Sequence, residues 1–378
     1  MGLAIACGSL LGLVSAVALN AQFTYTTNDG TITITGYTGA GGVVVIPETI
    51  NGLPVTGIGS RAFDRCGRLA SVTIANNVSS IGDWAFCYCS NLTDITISDS
   101  VINIGDFAFI GCGSLTNLTL PNGLTTIPSY AFANCTSFTS LMIPNGVNTL
   151  ETAAFAGCTG LTAVEMGDSV TSVGVQAFVA CTSLTNLTLS DRLTSIGDLA
   201  FESCRRLPRV TIPDGVTRIG AGAFIGCSGL TNVTIGHAVT NIARNAFWGC
   251  RSLTGVFFEG NAPSIGADVF LGVNKATVYY LPGRTGWGPT FGELPTARWV
   301  RPEPVILSFG PSFGLQTNRF GFVVSWATNA SVVVEACTDL GHPTWSPMGT
   351  NALNEGWSYF SDPQWTNYAN RFYRLRSP

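Results

Sequence analysis

The chain has 378 residues, of which 11% are charged, with a net charge of −4 and one lysine, Lys275. Globular proteins carry about 25% charged residues, so long surface helices laced with ion pairs are excluded. The absence of a basic face also excludes a nucleic-acid partner. Forty-four glycines and abundant threonine favour turns and short strands.

The chain opens on an apolar run from Leu3 to Ala18, too short to span a bilayer comfortably, followed by small residues and a polar segment from Asn20. This predicts a secretory signal peptide over 1–21, cut after Ala18 in Ala16-Val17-Ala18 or after Ala21, although no basic residue precedes it. Cys7 reads as a small residue of the signal core. No later stretch reaches membrane-spanning length, so a mature chain that is soluble, or surface-attached by other means, is expected. Residues 22–54 contain Thr31-Ile32-Thr33-Ile34 after Asn28-Asp29-Gly30. That pattern predicts a hairpin, of the kind that covers the open end of a repeat array.

From residue 55 to 275 one pattern recurs every 23 residues without an insertion. Phe63, Phe86, Phe109, Phe132, Phe155, Phe178, Phe201, Phe224, Phe247 and Phe270 mark ten repeats, and all but the last follow alanine. An aliphatic series from Ile58 to Ile265 and a cysteine three residues after nearly every Phe keep the same period. Within a unit, Leu92-Thr93-Asp94-Ile95-Thr96-Ile97 alternates as a short strand, and Leu115, Leu118 and Leu120 repeat its spacing. Turns such as Pro121-Asn122-Gly123 or Pro213-Asp214-Gly215 follow. A second apolar pair, Val101 and Ile104, leads into Gly105-Asp106-Phe107-Ala108-Phe109, compatible with a single helical turn that buries Ala108 and Phe109.

This pattern resembles the BspA-like leucine-rich repeats, a family of bacterial and protozoan surface proteins, over residues 55–275. The fold class expected is a leucine-rich-repeat solenoid of short parallel strands, turns and single helical turns. An N-terminal β-hairpin cap (22–54), a C-terminal cap (276–300) and a small C-terminal all-β module (301–378) complete it. The family resemblance implies a secreted or cell-surface location and, for function, binding of host or matrix proteins.

Nine cysteines, Cys66, Cys89, Cys112, Cys135, Cys158, Cys181, Cys204, Cys227 and Cys250, form a ladder. An odd number cannot pair completely, and stacked equivalent side chains point the same way. Buried thiols are therefore expected ahead of disulfides, and Val273 at the tenth position agrees. With only His237 and His342 to join the cysteines, a zinc site is not expected. No other metal and no cofactor is predicted.

If the strand leucines point inward, the intervening positions point outward. One row runs Thr73, Thr96, Thr119, Met142, Glu165, Thr188, Thr211, Thr234 and Phe257; its neighbour runs Ser71, Asp94, Asn117, Ser140, Ala163, Asn186, Arg209, Asn232 and Gly255. Threonine suits any solvent-facing strand, so the departures, Met142, Glu165, Arg209 and Phe257, are the candidate partner-binding residues. A turn row from Asn76 to His237 includes Asp168, Asp191 and Asp214. Turn chemistry accounts for these residues, and the dense Gly-Asp pattern of calcium-binding β-rolls is missing.

No catalytic triad or phosphate loop can be assembled, so no enzyme is expected. A carboxylate pair for glycoside hydrolysis meets only in the fold and is left open by sequence. After Pro302 the chain alternates in strand fashion, as in Phe322-Val323-Val324-Ser325-Trp326 and Ser331-Val332-Val333-Val334-Glu335, suggesting a small β-sandwich. Its aromatics, Trp326, Trp345, Trp357, Trp365 and Tyr368, suit a core or a sugar-stacking surface. The function expected is therefore a non-catalytic scaffold that holds an extracellular protein on the exposed sheet face. The alternative is a surface polysaccharide held by that face and the C-terminal aromatics.

Overall fold

The computed structural model describes residues 22–376 except 302, 308–312, 317 and 318. The expected signal peptide, 1–21, lies outside the described residues. The chain divides into two compact units, the first ending at Leu161 and the second beginning at Thr162.

The first unit begins with an antiparallel hairpin, Phe23–Asn28 with Thr31–Tyr37, which continues in parallel onto Leu53–Ile58. The hairpin is the expected cap. Its Tyr37 ring stacks on Phe63 at 5.2 Å, and Phe23 meets the same ring edge-on at 6.3 Å. Below it the period phenylalanines form a column, Phe63, Phe86, Phe109 and Phe132, each fully buried and spaced 4.8 to 5.3 Å along the stack. An open end of this column would leave an aromatic face in water, and the cap removes that exposure.

Two short parallel ladders flank the column. One joins Gly42–Val45, Leu69–Thr73 and Asp94–Thr96, the other Leu53–Ile58, Ser80–Ile81 and Asn103–Ile104. The inward residues are those expected: Leu92, Ile95 and Ile97 are all buried. The strand expected over Leu115–Leu120 is reduced to one bridge, Asp94 with Asn117. Leu115 and Leu120 remain buried, so packing is kept where backbone pairing lapses.

The helical turn expected at each Phe does not form. In every coil the residues two before and two after the Phe take left-handed backbone, as at Arg61 (φ 59°) and Arg65 (φ 57°), or Phe107 (φ 58°) and Gly111 (φ 73°). A continuing helix would aim each N–H at its own carbonyl four residues back, offering nothing to the neighbouring coil. The left-handed residues instead turn alternate amides outward. Phe107, Phe109 and Gly111 donate to the carbonyls of Ser129, Ala131 and Ala133 in the next coil at 2.8–2.9 Å. The amides between them close three-residue turns, Ile110 onto Phe107 and Cys112 onto Phe109. Buried backbone groups must find partners, and here the stacked coil supplies them.

The second unit repeats this plan. Phe178, Phe201, Phe224, Phe247 and Phe270 stack at 5.3 to 5.7 Å. Ser172–Val173, Ser195–Ile196, Arg218–Ile219, Asn241–Ile242 and Ser264–Ile265 form one parallel ladder. On the other face Arg209–Ile212, Asn232–Ile235, Gly255–Phe258, Thr277–Tyr280 and Leu294–Arg298 form a second. The hairpin Thr290–Phe291 with Leu294–Arg298 closes the array. Gly292 lies so near the Phe270 ring that a Cβ there would be 2.7 Å from it.

Beyond the array, Val305–Leu307, Gly314–Gln316, Arg319–Ser325 and Trp357–Asp362 form one antiparallel sheet, and Ala330–Cys337, Ser346–Leu353 and Phe372–Arg376 another. Phe322, Val324 and Phe360 from the first meet Val332, Val334 and Leu353 from the second in a shared core. The only helix among the described residues is the short 3-10 turn Trp365–Asn367.

The ladder cysteines are thiols. Cys89, Cys112 and Cys135 donate to the carbonyls of Phe63, Phe86 and Phe109 at 3.0 to 3.3 Å, and Cys227 and Cys250 do the same to Phe201 and Phe224. These coils thus pin their thiols to the previous Phe backbone, while Cys66 in the first coil is only partly buried. Burial pushes the Cys135 and Cys250 thiols up to about 12.

Candidate functional site

Threonine holds the sheet face together as well as decorating it. In the position before the outward strand residues, Thr93, Thr116, Thr185, Thr231 and Thr254 each donate twice to one carbonyl in the preceding coil. Thr93 reaches Ala70 through its amide at 2.9 Å and its hydroxyl at 3.0 Å, and Thr254 reaches Thr231 at 2.8 and 3.1 Å. Both bonds come from one side chain and its own amide, so the position carries the register from coil to coil.

Pro208 occupies this position in its coil and supplies neither donor. Its own carbonyl still accepts from Thr231 at 2.9 Å from the amide and 2.8 Å from the hydroxyl. The ladder therefore resumes on one side of the proline and stops on the other. Asn186–Thr188 and Arg209–Ile212 belong to different sheets. Between them lies a depression of about 540 Å³. Its lining includes Asn186, Thr188, Asp191, Pro208, Arg209 and Thr211, with the aliphatic parts of Leu187 and Leu189.

Arg209 lines this depression and is exposed. Of the other residues singled out by sequence, Met142 is 68% exposed on its strand, Ser140–Ile143. Glu165 is exposed on Ala163–Met166, paired in parallel with Thr188. Phe257 is half-buried: its ring stacks on Tyr279 at 4.9 Å and meets Trp299 at 5.0 Å, and the Arg301 guanidinium lies 4.6 Å over Trp299. Phe257 thus finishes an internal aromatic cluster at the end of the array. Arg209 and Phe257 lie two strands apart on one sheet, with Asn232–Ile235 between them.

The turn row serves the backbone. Asp99 accepts the Asn122 amide at 3.0 Å, and Asp214 accepts the His237 amide at 3.1 Å with His237 Nδ1 at 2.8 Å. Among the described residues no three His, Cys, Asp or Glu side chains converge on one point. His342 is exposed, with Nδ1 3.8 Å from Asp339. Of the tail aromatics, Trp326 donates to the Arg301 carbonyl at 3.1 Å, Trp345 and Tyr368 carry Arg374 and Arg371 over their rings, and Trp357 is 40% exposed.

A stripe in the first unit was missed by the sequence reading. Trp84, Phe107 and Tyr130 stand two residues before the period Phe, all in left-handed backbone (φ 57–60°). Their rings stack at 4.1 and 4.8 Å, and Arg61 lies over Trp84 at 5.3 Å. They cover a small satellite core of Cys87, Ile110 and Ala133. The signal was present as three aromatics 23 residues apart, but it occupies a position that a helical turn would have placed differently.

The BspA type leucine rich repeat region, in six copies, matches residues 56–185 and 151–277. A leucine-rich repeat protein of Bacteroides ovatus is similar in structure at a TM-score of 0.62 and 31% identity, covering 68% of this chain and 70% of that one. A T. pallidum leucine rich repeat protein is 30% identical over 56% of this chain and 88% of that one, with a TM-score of 0.46. A leucine rich cell surface protein of Faecalibacterium prausnitzii is 27% identical over 64% of this chain and 94% of that one, with a TM-score of 0.33. No curated protein matches. The repeat period, the coil-to-coil ladders and the family match over more than half its length agree that this chain belongs to the BspA-type leucine-rich-repeat family.

Proposed function

We propose that the chain is a non-catalytic secreted or cell-surface scaffold that binds an extracellular protein, with Arg209 and the depression beside it as the anchoring point. The observation that carries this reading is the coincidence of three features at one place: the lapse in the threonine ladder at Pro208, the concavity it opens, and an exposed arginine lining it. Interface energy concentrates in pockets filled by a partner's anchor and in arginines that meet a carboxylate. The rest of the face, largely Thr and Asn, supplies complementarity with little energy of its own. An acidic or amide-bearing loop on the partner suits the chemistry. A surface location is what the family resemblance implies.

The test is binding of the purified chain to an array of extracellular-matrix proteins, with Arg209→Ala and Pro208→Thr alongside. Loss of an arginine anchor costs about 2 kcal/mol or more, a drop of roughly thirtyfold. Pro208→Thr restores both donors, closes the break and weakens the same partner. A partner that binds both variants as tightly as the wild type refutes the assignment to this face.

A further inference from the structure

The end of the array and the C-terminal module enclose a second pocket, of about 440 Å³, within the roughly 300–1,000 Å³ usual for small-ligand sites. Leu281, Leu307 and Val323 form a buried cluster beneath it. Gly283 approaches the Trp357 side chain so closely that a Cβ there would lie 3.3 Å from it, and Gly356 does the same to Pro282 at 3.2 Å. Cap loop and module are therefore packed against each other at this place.

The pocket has two aromatic sides. Tyr280 and Trp287 line it and stack on each other at 5.1 Å with planes 5° apart. Trp287 is steadied from behind by Phe258 and Phe291, at 4.8 and 5.1 Å, and by a bond from its indole N–H to the Gly260 carbonyl. Trp357 belongs to the module, lines the pocket from that side and remains 40% exposed.

The charges are unequal. Arg284 and Arg298 line the pocket against one carboxylate, Glu355. Arg298 donates to the Glu355 carbonyl at 2.7 Å, which pins its guanidinium in place. Glu259 acts on Arg284 and is itself ion-paired with Arg301. Arg284 is partly desolvated, and burial lowers it to about 10, so it stays protonated at neutral pH in surroundings where a charge is weakly screened.

We infer that this pocket binds a saccharide carrying a carboxylate, a uronic-acid residue, with the ring against the aromatic walls and the carboxylate on the Arg284 and Arg298 guanidiniums. A pyranose has a flat C–H face that an aromatic ring desolvates and a polar edge that needs donors. A planar guanidinium fork matches a carboxylate in two bonds. An aliphatic acid would need an apolar lining along its length, and here charged side chains interrupt it. The inference is independent of the protein-binding face at Arg209, and either can fail alone.

The full chain is titrated, by tryptophan fluorescence and calorimetry, with oligogalacturonate, with an oligosaccharide alternating glucuronic acid and N-acetylglucosamine, and with a neutral N-acetylglucosamine oligomer of equal length. At least one acidic chain is expected to bind at least about tenfold more tightly than the neutral one. Trp357→Ala is expected to weaken it by a similar factor, and Arg298→Gln to erase the preference for acid. Trp357 is exposed, so an unchanged melting curve checks that its variant folds. Equal binding of acidic and neutral chains overturns the role of the arginines. No binding by either acidic chain, or full binding by the folded Trp357→Ala protein, overturns the site.

Discussion

The left-handed residues beside each Phe make a prediction in which glycine and alanine reverse their usual ranking. Gly249 (φ 73°) and Ala180 (φ 59°) both stand two residues after a period Phe, and each donates its amide to the next coil, to Leu271 at 2.9 Å and Glu202 at 2.7 Å. A Cβ built on Gly249 meets nothing nearer than the Gly226 backbone at 3.8 Å, an ordinary contact. Gly249→Ala therefore changes the backbone term with no steric clash. Left-handed backbone costs an L-residue about 1–2 kcal/mol, and the stiffer unfolded chain returns about 0.4–1 kcal/mol. The net expectation is a loss of about 0.5–1 kcal/mol. Ala180→Gly should gain a similar amount, where an alanine-to-glycine change in ordinary secondary structure loses about 0.5–1 kcal/mol. Urea unfolding followed by both tryptophan fluorescence and circular dichroism measures the two shifts. A stabilised Gly249→Ala, or a destabilised Ala180→Gly, would refute the claim that these amides are aimed by left-handed backbone.

Three further outcomes follow from the packing. Phe201 is fully buried between Phe178 at 5.4 Å and Phe224 at 5.3 Å, so Phe201→Ala should cost about 3–5 kcal/mol; a loss under about 1.5 kcal/mol in urea melts argues that the column is not the core. The Arg374 and Arg376 guanidiniums hydrogen-bond Glu335 and hold its carboxyl below the usual range. A depressed carboxylate contributes stability above its unfolded value of about 4.3 and loses it as pH falls through its lower folded value. Melts between neutral and acid pH should therefore show a smaller acid-dependent loss in Glu335→Gln than in wild type, and an unchanged slope contradicts the pairing. At pH 8 the Cys135 and Cys250 thiols, pushed up to about 12 by burial, carry thiolate on the order of one part in ten thousand. They should resist a thiol reagent until the chain is unfolded by guanidinium, and fast labelling of the native chain at these positions would contradict their burial.

Much of this protein was legible because its repeat is strict. A residue that recurs every 23 positions meets its own copy one coil away, so Phe63 and Phe86, or Cys89 and the Phe63 carbonyl, are neighbours by arithmetic once the solenoid is recognised. The cap hairpin was legible for the same reason, since Asn28-Asp29-Gly30 between alternating residues marks a turn wherever it occurs. The backbone at the Phe was not. Ala-Phe after a small residue fits a helical turn as well as a left-handed one, and the choice is made by hydrogen bonds to a neighbouring coil that local sequence does not contain.

The candidate sites divide in the same way. Sequence could mark Arg209 as a departure from a polar row, but the depression beside it lies where Pro208 withholds two donors from a ladder visible only in three dimensions. Phe257 departs from the same row and reads identically on paper, yet Tyr279 and Trp299 absorb its ring. The aromatic pocket joins Tyr280, Trp287 and Arg298 to Glu355 and Trp357, across a gap in sequence that no period spans. Periodicity determines what lies above and below each residue in the stack. What faces a side chain from a different element depends on how the array ends and on what packs against that end, and the tertiary structure decides both.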